Sequence, residues 1–252
     1  MIESKTNPTF RKLASLLESS GIKEFKEFLI FGQKAVLETL RNHPNSIVEV
    51  IVFPKCEALK SISKGTKMVE LTKSLFNEID IFNTGFPILV AKAWDIPTLN
   101  LNQKPQGLEV LCPIGDPRNL GALMRSSFAL GAAKIVLLKE AANPFLPQCT
   151  RAASGSLFNI QFFRGPNLKD LKEYSDKPHH YALDMNGVEI SKFKWPLDLR
   201  LAIGEEGPGL RDIEFANKIT IPQQIGADSL NVAIATSIAI FSYRSHHPLR
   251  TV

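Results

Sequence analysis

The sequence contains few cysteines, no long apolar run and no excess of glycine or proline. Its three cysteines, Cys56, Cys112 and Cys149, are far apart in 252 residues, which fits neither a disulfide framework nor a Cys-x-x-Cys metal site. The longest apolar stretch, residues 232–241, contains Thr and Ser and is shorter than the ~20 apolar residues that a bilayer span needs. The amino-terminal residues MIESKTNPTFRK lack the apolar core of a secretory signal. These absences predict a cytoplasmic protein with reduced cysteines and no transmembrane helix.

The sequence also lacks a metal-ligand motif and a large net charge. The histidines show no metal-ligand spacing, so no metal is predicted; they are His43, His179, His180, His246 and His247. Lys and Arg number 30 against 25 Asp and Glu, which gives a net charge of +5. This mild excess favours a polyanionic partner such as RNA, but it does not distinguish an RNA-binding protein from a metabolic enzyme.

Strand-like and helix-like segments alternate along most of the chain, which is typical of α/β folds. A leading helix is predicted from Pro8, with Phe10 and Leu13 on its apolar face and a stop at Ser20 and Gly21. Residues 1–95 are predicted to form a small α/β domain, residues 96–106 a proline-containing linker, and residues 107–252 a second α/β domain. The strands predicted for the two domains are FLIF, IVEVIVF, KMVEL, ILVAKAW, LEVLCPI, KIVLL, NIQFF, HYALD, LRLAI and KITI.

The first segment that suggests chemistry follows the strand LEVLCPI, where GDPRNLG leads into a helix that stops at Gly131. In α/β sheets, ligands collect at the carboxyl ends of strands, where loops and helix N-termini expose N–H groups. Asn119 lies at the mouth of this helix and Arg125 within its second turn. Both are candidates for one cleft; the alternative is that Asn119 is an N-cap and Arg125 a solvated charge.

In two further segments an apolar strand leads into a loop that contains polar residues and glycine. In LAIGEEGPGL, an apolar strand leads into three glycines and the adjacent Glu205 and Glu206. Glycines permit close approach of a ligand, but the spacing is not the dinucleotide fingerprint. In ITIPQQIGADSLNV, Ser229 and Asn231 precede a nearly uncharged helix predicted from Leu230 to about His246. These two residues are candidate helix caps, and the helix is expected to be buried on most sides.

Taken in order, the three segments resemble the motifs of the SpoU (TrmH-like) family of RNA ribose 2′-O-methyltransferases, in the SPOUT superfamily. The matching segments are residues 116–132 (DPRNLGALMRSSFALGA), residues 204–210 (GEEGPGL), and IPQ with SLNVA within residues 221–233. RAASG, residues 151–155, lies between the first two. The segment GQKAVLETL, residues 32–40, is similar to the small ribosomal-protein-like domain that many members carry.

The resemblance implies a small amino-terminal substrate-binding α/β domain followed by a SPOUT α/β domain with a deep carboxy-terminal trefoil knot, which is a rare topology. It implies S-adenosylmethionine (AdoMet) as cofactor, held by backbone groups of Gly204, Ile221 and Leu230, and a homodimer formed through the second domain. By the same resemblance the catalytic set is Arg125, Asn119, Glu206, Ser229 and Asn231. RNA is then the substrate, with ribosomal RNA favoured over transfer RNA.

Two positions depart from the family pattern: Glu205 stands where Asn is usual, and Ala233 where Ser is usual. The resemblance assigns Arg125 to activation of the 2′-hydroxyl. A guanidinium is an improbable base at neutral pH, so we expect Arg125 to bind an RNA phosphate and stabilise the developing alkoxide. A noncatalytic RNA-binding protein that retains the fold is the alternative. A nicotinamide-dependent enzyme would need the missing glycine fingerprint.

Overall fold

The computed structural model describes residues 1–54, 56, 66–132, 134–207, 209–210, 213–226 and 228–249. The segment EALKSIS, residues 57–63, whose composition predicts a helix between two strands, lies outside these ranges, as does Pro208 of the glycine-rich segment. The chain divides into two compact units. One contains residues Met1–Asp95 and Asn143–Phe158, and the other contains Ile96–Ala142 and Asn159–Val252.

Within the described residues, the first unit contains a mixed four-stranded sheet. Its strands are β1 (Glu27–Ile30), β2 (Ile47–Val52), β3 (Met68–Glu70) and β4 (Ile88–Lys92), in the order β1-β4-β2-β3. Strand β4 pairs antiparallel with β1 and β2, and β2 pairs parallel with β3. The α-helices of this unit are α1 (Pro8–Ser15), α2 (Ser19–Phe25), α3 (Gln33–Asn42), α4 (Lys73–Ile79) and α6 (Pro147–Ala153). Short 3₁₀ helices cover Pro44–Ser46 and Ser154–Phe158.

The second unit contains a parallel sheet of six strands in the part of the chain that the structure describes. Its strands are β5 (Leu108–Cys112), β6 (Lys134–Leu137), β7 (Phe162–Arg164), β8 (His180–Glu189), β9 (Leu199–Ala202) and β10 (Lys218–Thr220), in the order β10-β8-β9-β5-β6-β7. Val110 of the central β5 lies opposite Ile135 and Leu201. The α-helices are α5 (Pro117–Leu130) and α7 (Val232–His246), and a 3₁₀ helix covers Leu168–Tyr174.

Local sequence explains where the two long helices of the second unit begin and end. Asp116 is the N-cap of α5, because its Oδ1 accepts the N–H groups of Arg118 and Asn119. Gly131 ends that helix in the left-handed conformation that glycine tolerates, at φ 74°. Asn231 caps α7, which confirms one of the two predicted caps; Ser229 is not the cap, and the helix begins at Val232, two residues after the predicted start. Asn119 is therefore not a cap, and its side chain is available for other contacts.

The amino-terminal helix prediction was partly wrong. Residues 8–15 are helical as expected, but Ser20 and Gly21 lie inside the second helix, α2, and do not end the first. A Cβ at position 21 would lie 2.2 Å from the carbonyl oxygen of Ser15. Gly21 therefore allows α2 to pass close to the end of α1. A sequence pattern does not distinguish this role of glycine from a stop signal.

The predicted linker is packed into the second unit. Leu101 is 4% exposed and belongs to that unit's core. The Leu99 N–H donates to the carbonyl of Arg164 at 2.9 Å, and Nη1 of the buried Arg200 donates to the carbonyl of Leu101 at 2.6 Å. The prediction of a linker was based on the prolines of this segment. It overlooked Leu99 and Leu101, because two leucines are too few to give a recognisable periodic pattern.

Residues 143–158 also differ from the predicted division, since they belong to the first unit and not to the second. The hydroxyl of Thr150 donates to the carbonyl of Leu29 at 3.0 Å. The rings of Phe145 and Phe158 lie 5.0 and 6.2 Å from that of Phe28. This aromatic cluster joins residues more than a hundred positions apart, so local patterning could not reveal it.

Candidate functional site

A pocket of about 570 Å³ lies at the carboxyl ends of β9 and β10 and beside the middle of β8 in the second unit, within the usual volume of small-molecule sites. Its walls come from the middle of β8, the loops after β9 and β10, the N-terminus of α7 and the first turn of α5. The lining residues include Leu183, Asp184, Met185, Ile203, Gly204, Glu205, Glu206, Ile221, Gln223, Ser229, Leu230, Asn231 and Asn119.

Seven of the eight predicted site residues line this pocket. They are Asn119, Gly204, Glu206, Ile221, Ser229, Leu230 and Asn231. Three segments separated by up to a hundred residues therefore meet because their strands share one parallel sheet, whose carboxyl ends lie at one edge. Arg125, the eighth, is not among the lining residues.

A chain of three polar side chains crosses the mouth of the pocket. The Nδ2 of Asn119 donates to Oε1 of Glu206, and the Nδ2 of Asn231 donates to Oδ1 of Asn119 at 3.0 Å. Asn231 Oδ1 meanwhile accepts the N–H groups of Ala233 and Ile234 at 2.9 and 3.3 Å. Asn231 is thus both a helix cap and a site residue, because its amide holds Asn119, whose amide in turn holds the carboxylate of Glu206.

The loop after β9 is a tight turn that glycine makes possible. Glu205 and Gly209 exchange backbone hydrogen bonds at 2.8 and 3.1 Å. A Cβ at position 204 would lie 2.6 Å from the Gly209 backbone, so a larger residue at 204 would force this turn apart. Gly207 and Gly209 have φ angles of 88° and 65°, which side-chain-bearing residues rarely adopt.

Among the pocket residues that sequence reasoning did not assign to the site, Gln223 and Met185 contact each other. Gln223 Oε1 accepts the Leu230 N–H at 3.1 Å, and its Nε2 lies 3.3 Å from the sulfur of Met185. Gln223 therefore ties the loop after β10 to the N-terminal segment of α7 and to β8. The sequence signals for Gln223 were its place after the strand KITI and in the motif segment IPQ, while Met185 had none beyond directly following the predicted strand HYALD.

Arg125 lies on a different face of α5 from the pocket. At 3.6 residues and 1.5 Å per residue, six residues place it ~9 Å along the helix from Asn119 and about a third of a turn away. Its side chain is exposed, as is that of Arg118 two turns earlier on the same face. Ser126, next to Arg125, instead bonds to Ser237 of α7 at 2.7 Å. The pocket of this chain is therefore formed without Arg125.

The pocket carries negative charge. Asp184, Glu205 and Glu206 line it, and its described lining includes no Lys, Arg or His. A site of this charge suits a cationic ligand and disfavours the pyrophosphate of a dinucleotide. Elsewhere in the described residues, no group of three His, Cys, Asp or Glu side chains is arranged to hold a metal ion. None of the described helices has the length and apolar character needed to cross a bilayer.

Fold and site together define an α/β protein with an acidic, glycine-lined ligand pocket at the carboxyl ends of a parallel sheet. A family model for SpoU rRNA Methylase matches residues 109–241. The 23S rRNA (guanosine(2553)-2′-O)-methyltransferase RlmP of Bacillus subtilis is 28% identical over 96% of this chain and 98% of its own. A solved AdoMet-bound rRNA methyltransferase from Sinorhizobium meliloti is 27% identical, with a TM-score of 0.77 over 98% of both chains.

Another relative, ribosomal RNA small subunit methyltransferase G 2 of Syntrophobacter fumaroxidans, is 34% identical over 96% of this chain. The match covers 48% of that protein, so the chain spans about half its length. The family match covers more than half of the chain and includes the pocket residues of β8 and the pocket segments after β5, β9 and β10. The chain belongs to the SpoU rRNA methylase family.

Proposed function

We propose that this protein is an AdoMet-dependent RNA methyltransferase that transfers a methyl group to a ribose 2′-hydroxyl, in ribosomal RNA in preference to transfer RNA. The observation that carries the proposal is the acidic pocket in which Asn119, Glu206 and Asn231 converge. Support comes from RlmP, whose name specifies 2′-O-methylation of 23S rRNA, and from the AdoMet-bound S. meliloti structure.

The residues present fit AdoMet. Apolar side chains such as Ile203 and Leu230 suit a flat adenine ring, while Glu205, Glu206 and Asp184 complement a positively charged ligand. Gly204, Ile221 and Leu230 would hold the cofactor through backbone groups, and Gln223 fixes the orientation of the Leu230 backbone. Bound AdoMet supplies an electrophilic methyl group on a sulfonium.

Catalysis then depends on orienting the ribose hydroxyl in line with that methyl group. Glu206 is anchored by Asn119, which is in turn anchored by Asn231. Such a held carboxylate can accept a hydrogen bond from the ribose and keep its oxygen in place. Ser229 lines the same pocket and is a further hydrogen-bond partner for the substrate. The amides of Asn119 and Asn231 therefore position Glu206. Of the residues in this pocket, Glu206 is our candidate for the group that accepts the proton of the ribose hydroxyl.

Arg125 enters this scheme through a homodimer. Helix α7 buries Ala233, Ala239 and Tyr243 but exposes an apolar stripe of Ile234, Ile238 and Phe241, at 54%, 37% and 62%. One chain does not bury this helix on most sides, so the stripe favours a subunit interface, which the family resemblance also implies, over a deep core. On α5, Phe128 is 48% exposed and lies one turn from Arg125.

A second copy of the chain packed on this apolar surface would bury it and bring Arg125 to the interface. We therefore assign Arg125 to the pocket of the partner subunit, where it would bind an RNA phosphate and stabilise charge at the 2′-oxygen. The deep trefoil knot expected from the family and a cytoplasmic location belong to the same proposal. So does an RNA-binding role for the first unit.

Titration calorimetry of the full chain with AdoMet tests the cofactor assignment. We expect binding by the wild-type protein and none by Gly204→Val, which would crowd Gly209. Gly115→Ala is the folded control, since its nearest contact would be an ordinary 3.6 Å. A folded wild-type protein that binds no AdoMet would overturn the assignment and favour the noncatalytic RNA-binding alternative.

Mixed dimers test the placement of Arg125. Arg125→Ala and Gly204→Val are each expected to be inactive as homodimers. Coexpressed, they form heterodimers in which an intact pocket faces an intact Arg125 of the partner subunit, so methyl transfer should return. If Arg125 acts in the pocket of its own chain, the heterodimer contains no complete site and stays inactive, and the proposed arrangement is wrong.

A further inference from the structure

The second unit has a second, basic pocket at the opposite ends of the same strands. It measures about 310 Å³ and is lined by Lys104, Lys177, His179, His180 and Arg200 together with residues of the segment that precedes β5. His180 begins β8, and the acidic pocket starts three residues later at Leu183. At ~3.3 Å per residue, the two pockets are about 10 Å apart along that strand.

Arg200 forms the fixed floor of the basic pocket. It is 1% exposed, and its Nε donates to Oε2 of Glu109 at 2.9 Å. Its Nη1 and Nη2 donate to the carbonyls of Leu101 and Gln103 at 2.6 and 2.8 Å. Glu109 also accepts from Lys134 at 2.8 Å, so one carboxylate balances two cations. The buried cluster therefore leaves a positive charge beneath the pocket.

His180, beside Arg200, is held in its neutral form. The pKa of His180 falls to about 4, first because the ring is buried and then because Arg200, Lys177 and His179 disfavour a further proton. His180 Nδ1 donates to the carbonyl of Pro178 at 3.2 Å, which leaves Nε2 to accept from Arg200 at 3.3 Å. A neutral His180 thus holds the guanidinium in place without adding charge.

The rim of the pocket supplies donors that remain near solvent. Lys177 Nζ lies 4.3 Å from the ring centre of Tyr174 and donates to Asn102 at 3.0 Å, and Lys104 pairs with Asp198 at 3.2 Å. His179 has a φ of 68°, and its Nδ1 lies 3.0 Å from the carbonyl of Asp198. Strained backbone of this kind clusters at functional sites. No Asp or Glu lines the pocket among the described residues.

We propose that this basic pocket binds a backbone phosphate of the RNA substrate, at a nucleotide some distance along the chain from the one in the acidic pocket. The proposal rests on RNA being the substrate. A concave site with Lys104 and Lys177 at its rim, over a buried cluster in which the single carboxylate of Glu109 is shared by two cations, has the charge and donors that a phosphate requires. Contact here would fix the direction in which the RNA runs between the two pockets. Phosphate contacts set the register of a nucleic acid on a protein and do not read its sequence.

The test compares two double variants of the full chain. Lys104→Gln with Lys177→Gln removes two charges from the rim, and Lys169→Gln with Lys172→Gln removes two from exposed positions outside the pocket. Binding of a short mixed-sequence single-stranded oligoribonucleotide is measured by fluorescence anisotropy over a series of salt concentrations. Thermal melting and AdoMet calorimetry are run on each protein.

For the pocket variant we expect several-fold weaker RNA binding and a slope of log affinity against log salt that is shallower by up to about 1.4, at ~0.7 per released phosphate contact on a single strand. The control should keep the wild-type slope, and both should keep wild-type AdoMet affinity and melting temperature. Equal slopes for the two double variants would overturn the proposal.

Two further outcomes are informative. If the pocket variant melts at a lower temperature, Lys177→Arg replaces it as the test, because it keeps the charge and should retain RNA affinity if phosphate binding is the role of this residue. If the wild-type chain binds AdoMet but no RNA, the phosphate site is refuted while the cofactor assignment stands, so the two failures are distinguishable.

Discussion

Replacing Arg125 with Ala is the perturbation that separates a catalytic from a structural role for this residue. The side chain is exposed on α5 and lies outside the pocket of its own chain. Exposed substitutions away from special features change stability by about 0.5 kcal/mol or less. The melting temperature of Arg125→Ala should therefore match that of the wild type, and AdoMet affinity should not change.

Turnover should respond very differently. If the guanidinium from the partner subunit stabilises charge developing at the 2′-oxygen, its loss should lower the single-turnover rate by about 10²–10³-fold, the scale of removing one oriented electrostatic donor. That factor corresponds to ~3–4 kcal/mol of transition-state stabilisation. Arg125→Lys should recover only part of the rate, because an ammonium lacks the planar fork that engages phosphate and ribose together.

The assay is single-turnover methyl transfer to RNA at saturating RNA and AdoMet, with Arg118→Ala as the matched control. Arg118 carries the same charge on the same face of α5, two turns nearer the pocket. We expect its loss to weaken RNA binding without changing the rate at saturation. An unchanged rate in Arg125→Ala, or equal rate losses in the two variants, would refute the reasoning.

Two other predictions concern the pocket and the pH dependence of stability. Gly204→Ala should cost about 1–3 kcal/mol through crowding at Gly209 and weaken AdoMet binding measurably, whereas Gly115→Ala should do neither in paired melting and calorimetry. Because the folded pKa of His180 is about 4, against 6.5 for a free side chain, the unfolded chain takes up a proton first as pH falls. Stability should therefore drop between about pH 6.5 and pH 4. Urea unfolding at pH 7 and pH 5 should show a smaller loss for His180→Gln, and identical losses would contradict a neutral, buried His180.

Sequence patterning was sufficient for elements whose signals are local. The stop of α5 at Gly131 and the cap of α7 at Asn231 were predicted, whereas α5 begins at Pro117, five residues before the predicted start at Ala122. The family resemblance implied that Asn119, Glu206 and Asn231 belong to one site, and the three line one pocket. The family motifs indicated the pocket residues, because the glycine turn and the helix caps each depend on a few consecutive residues.

Other features depend on contacts between distant residues and were not predictable from local patterns. Leu101 looked like part of a linker, yet Arg200, a hundred positions later, holds its carbonyl. Residues 143–158 followed the second domain in sequence but pack with the first unit through Thr150 and an aromatic cluster. The position of Arg125 away from the pocket follows from the helical period, but only once the structure shows that Asn119 lines the pocket.

The central claim is that this chain methylates a ribose hydroxyl of RNA, and the chemistry of the product tests it most directly. The full-length protein is incubated with AdoMet radiolabelled in the methyl group and with ribosomal RNA from cells that lack the protein, and the RNA is then hydrolysed with alkali. A 2′-O-methyl group removes the nucleophile that alkali needs to cleave the adjacent phosphodiester bond. The account predicts radiolabel in alkali-resistant dinucleotides, absent with Gly204→Val. Label confined to mononucleotides would indicate base methylation, and no label from a protein that binds AdoMet and RNA would contradict the proposed activity.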